Sequence, residues 1–212
     1  MRKKPIDDVV SVYGNSESAK ALRRVEVAKT KHKERSMKIA LSIAAVLVVL
    51  VVGVVVIGAL LPKHHVASRS AVFRAPAPQL LALISGAQEW RPDVKICEVF
   101  GKDGRTFQRE TSQHGQTVMY ELQGSQPPNR IERRIATEGL PYAGTWTFDL
   151  EPTRVNGLAP GQGTRVRITE DGEVYNPVFR FVSKFIMGQT ATQDAYLKAM
   201  GKATGEEIHI ED

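Results

Sequence analysis

From Ile39 to Leu61 the chain runs 23 residues without a charge, and the only polar side chain in the run is Ser42. Sixteen of these residues are Val, Leu or Ile, and the remainder are Ala, Gly and that Ser. As a helix rising 1.5 Å per residue, the run extends about 35 Å, enough for a hydrocarbon layer of ~30 Å with some tilt. Each Val, Leu or Ile favours insertion by roughly 0.3–0.6 kcal/mol. A core helix of a soluble domain keeps a polar face over such a length, and this segment has none. The run therefore reads as a transmembrane helix. It divides the chain into a basic tail (1–38), a span (39–61), a linker (62–67), a domain (68–204) and an acidic end (205–212). The rival reading is a signal peptide cleaved at Val66-Ala67-Ser68. Against it stand 38 preceding residues and an apolar run longer than a usual signal core.

Charge gives the expected orientation. Residues 1–38 hold 11 Lys/Arg and 5 Asp/Glu, whereas 39–212 hold 18 of each, so the net charge of +6 lies wholly in the tail. Eight basic residues lie within the 20 positions before the span, and only Lys63, Arg69 and Arg74 in the corresponding stretch after it. The positive-inside rule then expects a cytoplasmic N-terminus and a periplasmic or extracellular C-terminal domain. Basic residues beside a span are attracted to anionic lipid by about 1 kcal/mol each, so the lipid bilayer is the expected partner and nucleic acid is not. Ser18 to Glu34 has helix-forming composition, with Leu22, Val25 and Ala28 loosely on one face. It reads either as a helix on the inner leaflet or as a solvated tail.

About 140 residues follow from Val66, enough for one domain with a substantial core. Ser68–Arg74 is β-like. Pro78 suits the first turn of a short helix whose apolar residues are Leu80, Leu81, Leu83 and Ile84, and Glu89-Trp90-Arg91-Pro92 reads as a second turn or short helix. Six strands are expected at Val94–Phe100, Arg105–Thr111, Thr117–Gly124, Arg130–Glu138, Gly144–Pro152 and Gly163–Glu170. Breakers such as Lys102-Asp103-Gly104, Gln126-Pro127-Pro128 and the loop containing Gly157 and Gly161 separate them. Asn176 and Pro177 open a final helix expected to reach about Ala203, with Val178, Val182, Phe185, Ile186, Gln189, Thr192, Tyr196 and Met200 on one face and Gly188 interrupting it.

The fold class is therefore α+β, with a long amphipathic helix laid over a curved antiparallel sheet. In this order the chain resembles the helix-grip fold of the START/Bet v 1-like superfamily, often called SRPBCC or polyketide cyclase/dehydrase-like. The resemblance covers about residues 66–204. It is carried by Val72-Phe73-Arg74-Ala75-Pro76-Ala77-Pro78-Gln79-Leu80-Leu81, Trp90-Arg91-Pro92, Gly144-Thr145-Trp146-Thr147-Phe148 and Gly163-Thr164-Arg165-Val166-Arg167-Ile168-Thr169-Glu170. It implies about seven strands, two short helices after the first, and a cavity between sheet and C-terminal helix for a hydrophobic small molecule or lipid.

Strand and helix parity nominates the residues that meet there: Tyr120, Ile131, Ile135, Trp146, Phe148, Val166, Ile168, Val182, Phe185 and Ile186. Arg133 shares parity with Ile131 and Ile135, and Glu170 with Val166 and Ile168. Facing inward, the two charges must pair or hold a polar ligand head; at strand ends they meet solvent, which is the plainer reading.

Catalytic signals are absent from the sequence. Cys97 is the only cysteine and sits in an apolar strand context, so it reads as a small core residue. His64 and His65 are adjacent and diverge, beside the bilayer and in solvent; His32, His114 and His209 fall in the tail, a turn and a frayed end. No metal or cofactor is expected, and no nucleophile elbow, Walker or dinucleotide motif is present. The leading expectation is a single-pass membrane protein of bacterial type whose domain binds an apolar molecule. The alternatives are a polyketide cyclase-like enzyme on a hydrophobic substrate and a protein-interaction module without ligand, its protein partner unassigned. A reporter active only outside the cytoplasm, fused after Asp212, should be active; activity of a cytoplasm-only reporter there would reverse the orientation.

Overall fold

The computed structural model describes residues 17–125, 129–157, 159, 162–188 and 190–212. The readings placed on residues 1–16, 126–128, Gly161, Gln189 and the Leu22 side chain lie outside the described residues.

The chain divides into two units between Gly53 and Val54. The described residues of the first are all helical. Helix α1 spans Glu17–Leu60, so the basic stretch and the apolar run form one continuous helix rather than two segments. Large apolar side chains are exposed all round it from Ile39 to Ile57. Among the described residues it is the one helix long and apolar enough to cross a membrane.

The second unit is α+β. Strand β1 (His64–Phe73) begins four residues earlier than its sequence pattern suggests, almost directly after α1. Pro76 caps the next helix, α2 (Ala77–Ser85), which carries Pro78 in its first turn. A meander follows: β2 (Val94–Lys102), β3 (Arg105–Ser112), β4 (Thr117–Ser125), β5 (Arg130–Ile135), β6 (Tyr142–Thr153) and β7 (Gly163–Val174). The chain then forms α3 (Pro177–Val182), a π-helical turn (Ser183–Met187), α4 (Ala191–Thr204) and a short β8 (Ile210–Glu211). All pairings are antiparallel, and the eight described strands lie in the order β2-β3-β4-β5-β6-β7-β1-β8.

Three expectations are corrected in detail. Glu89 and Trp90 form a turn, so one helix, not two, follows β1. The C-terminal helix is not continuous. Gly188, at φ 81°, occupies a conformation that side chains disfavour, and the chain breaks there into α3 with its π turn and a separate α4. The acidic end is also part of the domain. The Glu206 carboxylate accepts the backbone N–H groups of Arg74 and Ala75, Glu211 pairs with Arg165, and Ile208 and Ile210 pack on the core.

The core lies between the sheet and the helices α2 and α4. Ala71, Phe73, Leu80, Ile84, Phe148, Leu150, Val166, Ile168, Leu197 and Met200 form one buried cluster. Tyr196 on α4 is its hub: its ring contacts Trp90, Trp146 and Phe148 at centroid distances of 5.2, 5.7 and 5.2 Å. Its hydroxyl donates to Gln88 Oε1 at 3.0 Å. Gln88 Nε2 in turn donates to the carbonyls of Leu83 and Ile84, and Gln108 Nε2 to those of Ile84 and Gly86. These two buried amides satisfy the last carbonyls of α2, which would otherwise be orphaned in the core.

Phe148 has no exposed surface and belongs to this cluster rather than to the wall of a cavity. Phe148→Leu should therefore lower the melting temperature by roughly 2–4 °C, as expected for a volume-changing apolar swap, with no change in affinity for an apolar probe. Thermal unfolding and a binding titration on the same sample check this.

Candidate functional site

Directly paired residues on antiparallel neighbours share a face of the sheet. Arg133 on β5 pairs with Trp146 on β6, and Trp146 pairs with Glu170 on β7, so these three form one row across the sheet. Tyr120 on β4 and Ile135 on β5 form a second pair. His65, two residues before the Glu170 partner Ala67 on β1, lies on the same face. Above this surface pass α3, the π turn and the start of α4. The helical segment stands off from the sheet instead of filling it. The result is a cavity of about 420 Å³, walled by Ile135, Trp146, Val174, Phe179, Val182 and Met187 among others.

Its polar groups fall into two sets. At one end the Glu110 carboxylate on β3 is hydrogen-bonded by Arg133, and at 3.0 Å by Arg91 Nη1. Arg133 is 3% exposed and Glu110 5%. The Arg133 guanidinium lies 4.3 Å from the Tyr120 ring centroid and that of Arg91 5.1 Å from the Tyr196 ring. The buried guanidinium of Arg133 and the half-buried one of Arg91 thus share one buried carboxylate, while Asp93 reaches Arg91 from the surface. The Nε of Arg133 has no hydrogen-bond partner among the described residues. Burial pushes the phenols of Tyr120 and Tyr196 up to about 12, against the opposing pull of Arg133, so both are neutral donors at pH 7.

At the other end His65 Nε2 lies 3.5 Å from Glu170 Oε1. Burial raises the Glu170 carboxyl above its ordinary value, and His65 together with a hydrogen bond from Trp146 opposes the shift. His64 points the opposite way and meets Asp171 at 2.6 Å in solvent.

The residues nominated from sequence separate into three groups. Tyr120, Arg133, Ile135, Trp146, Glu170 and Val182 line the cavity. Phe148, Val166 and Ile168 are buried in the core, and Ile131 packs against it. Phe185 and Ile186 are 57% and 70% exposed on the outer side of the π turn, so they make no sheet-to-helix contact. That contact is made by Tyr196, Leu197 and Met200 of α4, beyond the break at Gly188. The strand-end, solvated reading of Arg133 is also corrected: its partner is Glu110, not Glu170 or water. Parity could not nominate Arg91, which comes from a turn. It missed His65 because β1 starts earlier than its apolar pattern.

No protein-family model and no curated protein sequence matches the chain. Solved structures do. A truncated norcoclaurine synthase from Thalictrum flavum aligns with a TM-score of 0.50 at 16% identity, over 68% of this chain and 95% of that one. The di-domain ARO/CYC BexL from the BE-7585A biosynthetic pathway aligns at 0.51 and 12% identity, over 66% of this chain and 46% of that one. A START superfamily protein from Mycobacterium smegmatis aligns at 0.49 and 19% identity, over 66% and 97%. With the topology above, the domain has a helix-grip fold.

The raised Glu170 carboxyl has a signed consequence. Below its ordinary value the group is protonated both folded and unfolded. Between the ordinary and the raised value only the folded chain keeps the proton, so its contribution to stability is lost as pH rises through that window. Glu170→Gln should remove this loss. The variant's unfolding free energy relative to the natural chain should rise as the pH is raised above the ordinary glutamate value of about 4.3 in urea titrations.

Proposed function

We propose that this protein is a single-pass, membrane-anchored START-like domain that holds a hydrophobic small molecule or lipid between the sheet and α3–α4. The cavity carries the reading. Its ~420 Å³ falls within the roughly 300–1,000 Å³ of small-molecule sites, and its apolar walls with few convergent polar groups are the usual make-up of such sites. Arg133, with an unpartnered Nε, and the neutral Tyr120 hydroxyl offer donors to an acceptor group on an otherwise apolar ligand. The anchor is supported by the exposed apolar surface all round α1, far larger than a water-soluble chain leaves uncovered. An N-in orientation, with the domain outside the cytoplasm, follows from the basic tail.

A second reading is favoured by one observation. His65 and the raised Glu170 carboxyl lie 3.5 Å apart on the cavity wall, the kind of neighbouring acid–base groups that an enzyme acting on a hydrophobic substrate would use. Turnover lost in both His65→Gln and Glu170→Gln, with ligand affinity kept, would establish it.

The binding reading is tested by displacement of a fluorescent fatty acid or sterol from the full chain in neutral detergent. Val182→Trp places a large side chain in the cavity from its helical roof. It should weaken probe binding at least about tenfold with the fold retained, about 1.4 kcal/mol of binding free energy. Absence of saturable binding by the folded natural chain would overturn the reading and favour a protein-interaction module.

A further inference from the structure

The end of α1 is fastened to the roof of the cavity. The Pro177 carbonyl packs so closely on Gly58 that a Cβ there would lie 1.9 Å from the oxygen, which only glycine avoids. Arg180 Nη1 donates to the Leu61 carbonyl at 2.6 Å and to that of Ala59 at 3.5 Å, closing the helix at its C-terminus. Around this junction lies a small polar nook of about 70 Å³, walled by Lys63, Arg180 and Lys184 among others. It shares His65, Val174 and Ser183 with the large cavity.

The nook has an excess of positive charge. Of the carboxylates nearby, Asp171 is engaged by His64 and Glu170 by His65, and Glu173, next to Val174, is hydrogen-bonded by Tyr175. Among the described residues, no ion pair involves Lys63, Arg180 or Lys184. Arg180 is 8% exposed, and its buried Nε has no hydrogen-bond partner among the described residues. A buried cation so placed calls for an anion that supplies acceptors. The position says which anion is at hand. The nook surrounds Leu61, the last residue of the apolar run, where a spanning helix leaves the hydrocarbon and meets phosphate head groups. Beside it Val178, Phe179, Phe185, Ile186 and Met187 are exposed. Exposed aromatic and aliphatic residues interleaved with cations on a short helical segment are the composition of an interfacial membrane contact.

We infer that Lys63, Arg180 and Lys184 form a phosphate subsite for an anionic phospholipid of the surrounding leaflet, with the outer face of α3 and the π turn resting in that leaflet. The inference rests on the anchored reading above and deepens it, since the subsite adjoins the cavity wall at the membrane face.

The test uses the full chain in neutral detergent, with thermal unfolding as readout and dihexanoyl-phosphatidylglycerol, dihexanoyl-phosphatidylcholine or inorganic phosphate as additives. At about ten times its dissociation constant, the glycerol lipid should raise the melting temperature by roughly 3–5 °C. The double variant K63Q/K184Q should lose most of that rise, and K63R/K184R should keep it. The basic tail is the same in all three chains, so the difference between them reports on the nook alone. Equal shifts in the natural chain and K63Q/K184Q would overturn the inference. So would an equal shift from inorganic phosphate, which would mark a free-anion site. Failure of the chain to float with liposomes would instead remove the anchor itself, and failure of apolar probe binding would remove the cavity reading while leaving the lipid shift interpretable.

Discussion

One buried carboxylate organises the inner end of this domain. Glu110 on β3 stands between Arg133 on β5 and Arg91 in the turn after α2, and so ties three separate parts of the chain together. Removing a single partner from such an arrangement typically costs about 3–5 kcal/mol, because the remaining charges are left buried and uncompensated. Replacing all of them with apolar residues is often neutral or stabilising, so the cluster is poor evidence for a stability role. Its structural consequence is positional. The guanidiniums lie over the rings of Tyr120 and Tyr196, which places hydrogen-bond donors at the floor of an apolar cavity and next to the aromatic hub of the core.

The second organising feature is the break at Gly188. A single straight helix would bury one continuous stripe against the sheet and leave little space beneath it. The break divides the work. Beyond it, α4 carries Tyr196, Leu197 and Met200 into the core and draws Gln193 to the Ala67 carbonyl of β1. Before it, α3 is capped by Asn176, whose side chain accepts from the N–H groups of Val178 and Phe179, and its Val182 faces the cavity. The outer side of the same short segment presents Phe185 and Ile186 to the surroundings, while Arg180 grips the end of α1. The cavity roof and the contact with the end of α1 are thus built from the same dozen residues. A change at that contact acts directly on the roof.

Sequence alone determined much of this protein. The apolar run, the charge asymmetry about it, six of the strands and the helix starts at Pro78 and Asn176-Pro177 all rest on local signals: an uninterrupted hydrophobic length, period-2 alternation and capping residues. The order of those elements was enough for the helix-grip architecture. Parity put Arg133 on the face of Ile131 and Ile135, and Glu170 on that of Val166 and Ile168, because a side chain's side of a sheet is fixed by counting along the strand, but the plainer sequence reading still left both charges in solvent. What a charge does once inside is not local. Arg133 proved to be buried and neutralised by Glu110, a residue 23 positions away in sequence and two strands over, and no spacing rule connects them. The same holds for His65, whose partner Glu170 lies across the β1–β7 pairing, and for the division of the last helix, where burial of α4 and exposure of Phe185 and Ile186 depend on where the chain turns at Gly188. Periodicity states which residues share a face. Only the tertiary structure decides whether that face meets a core, a cavity or a membrane, because that depends on which distant segment arrives to cover it.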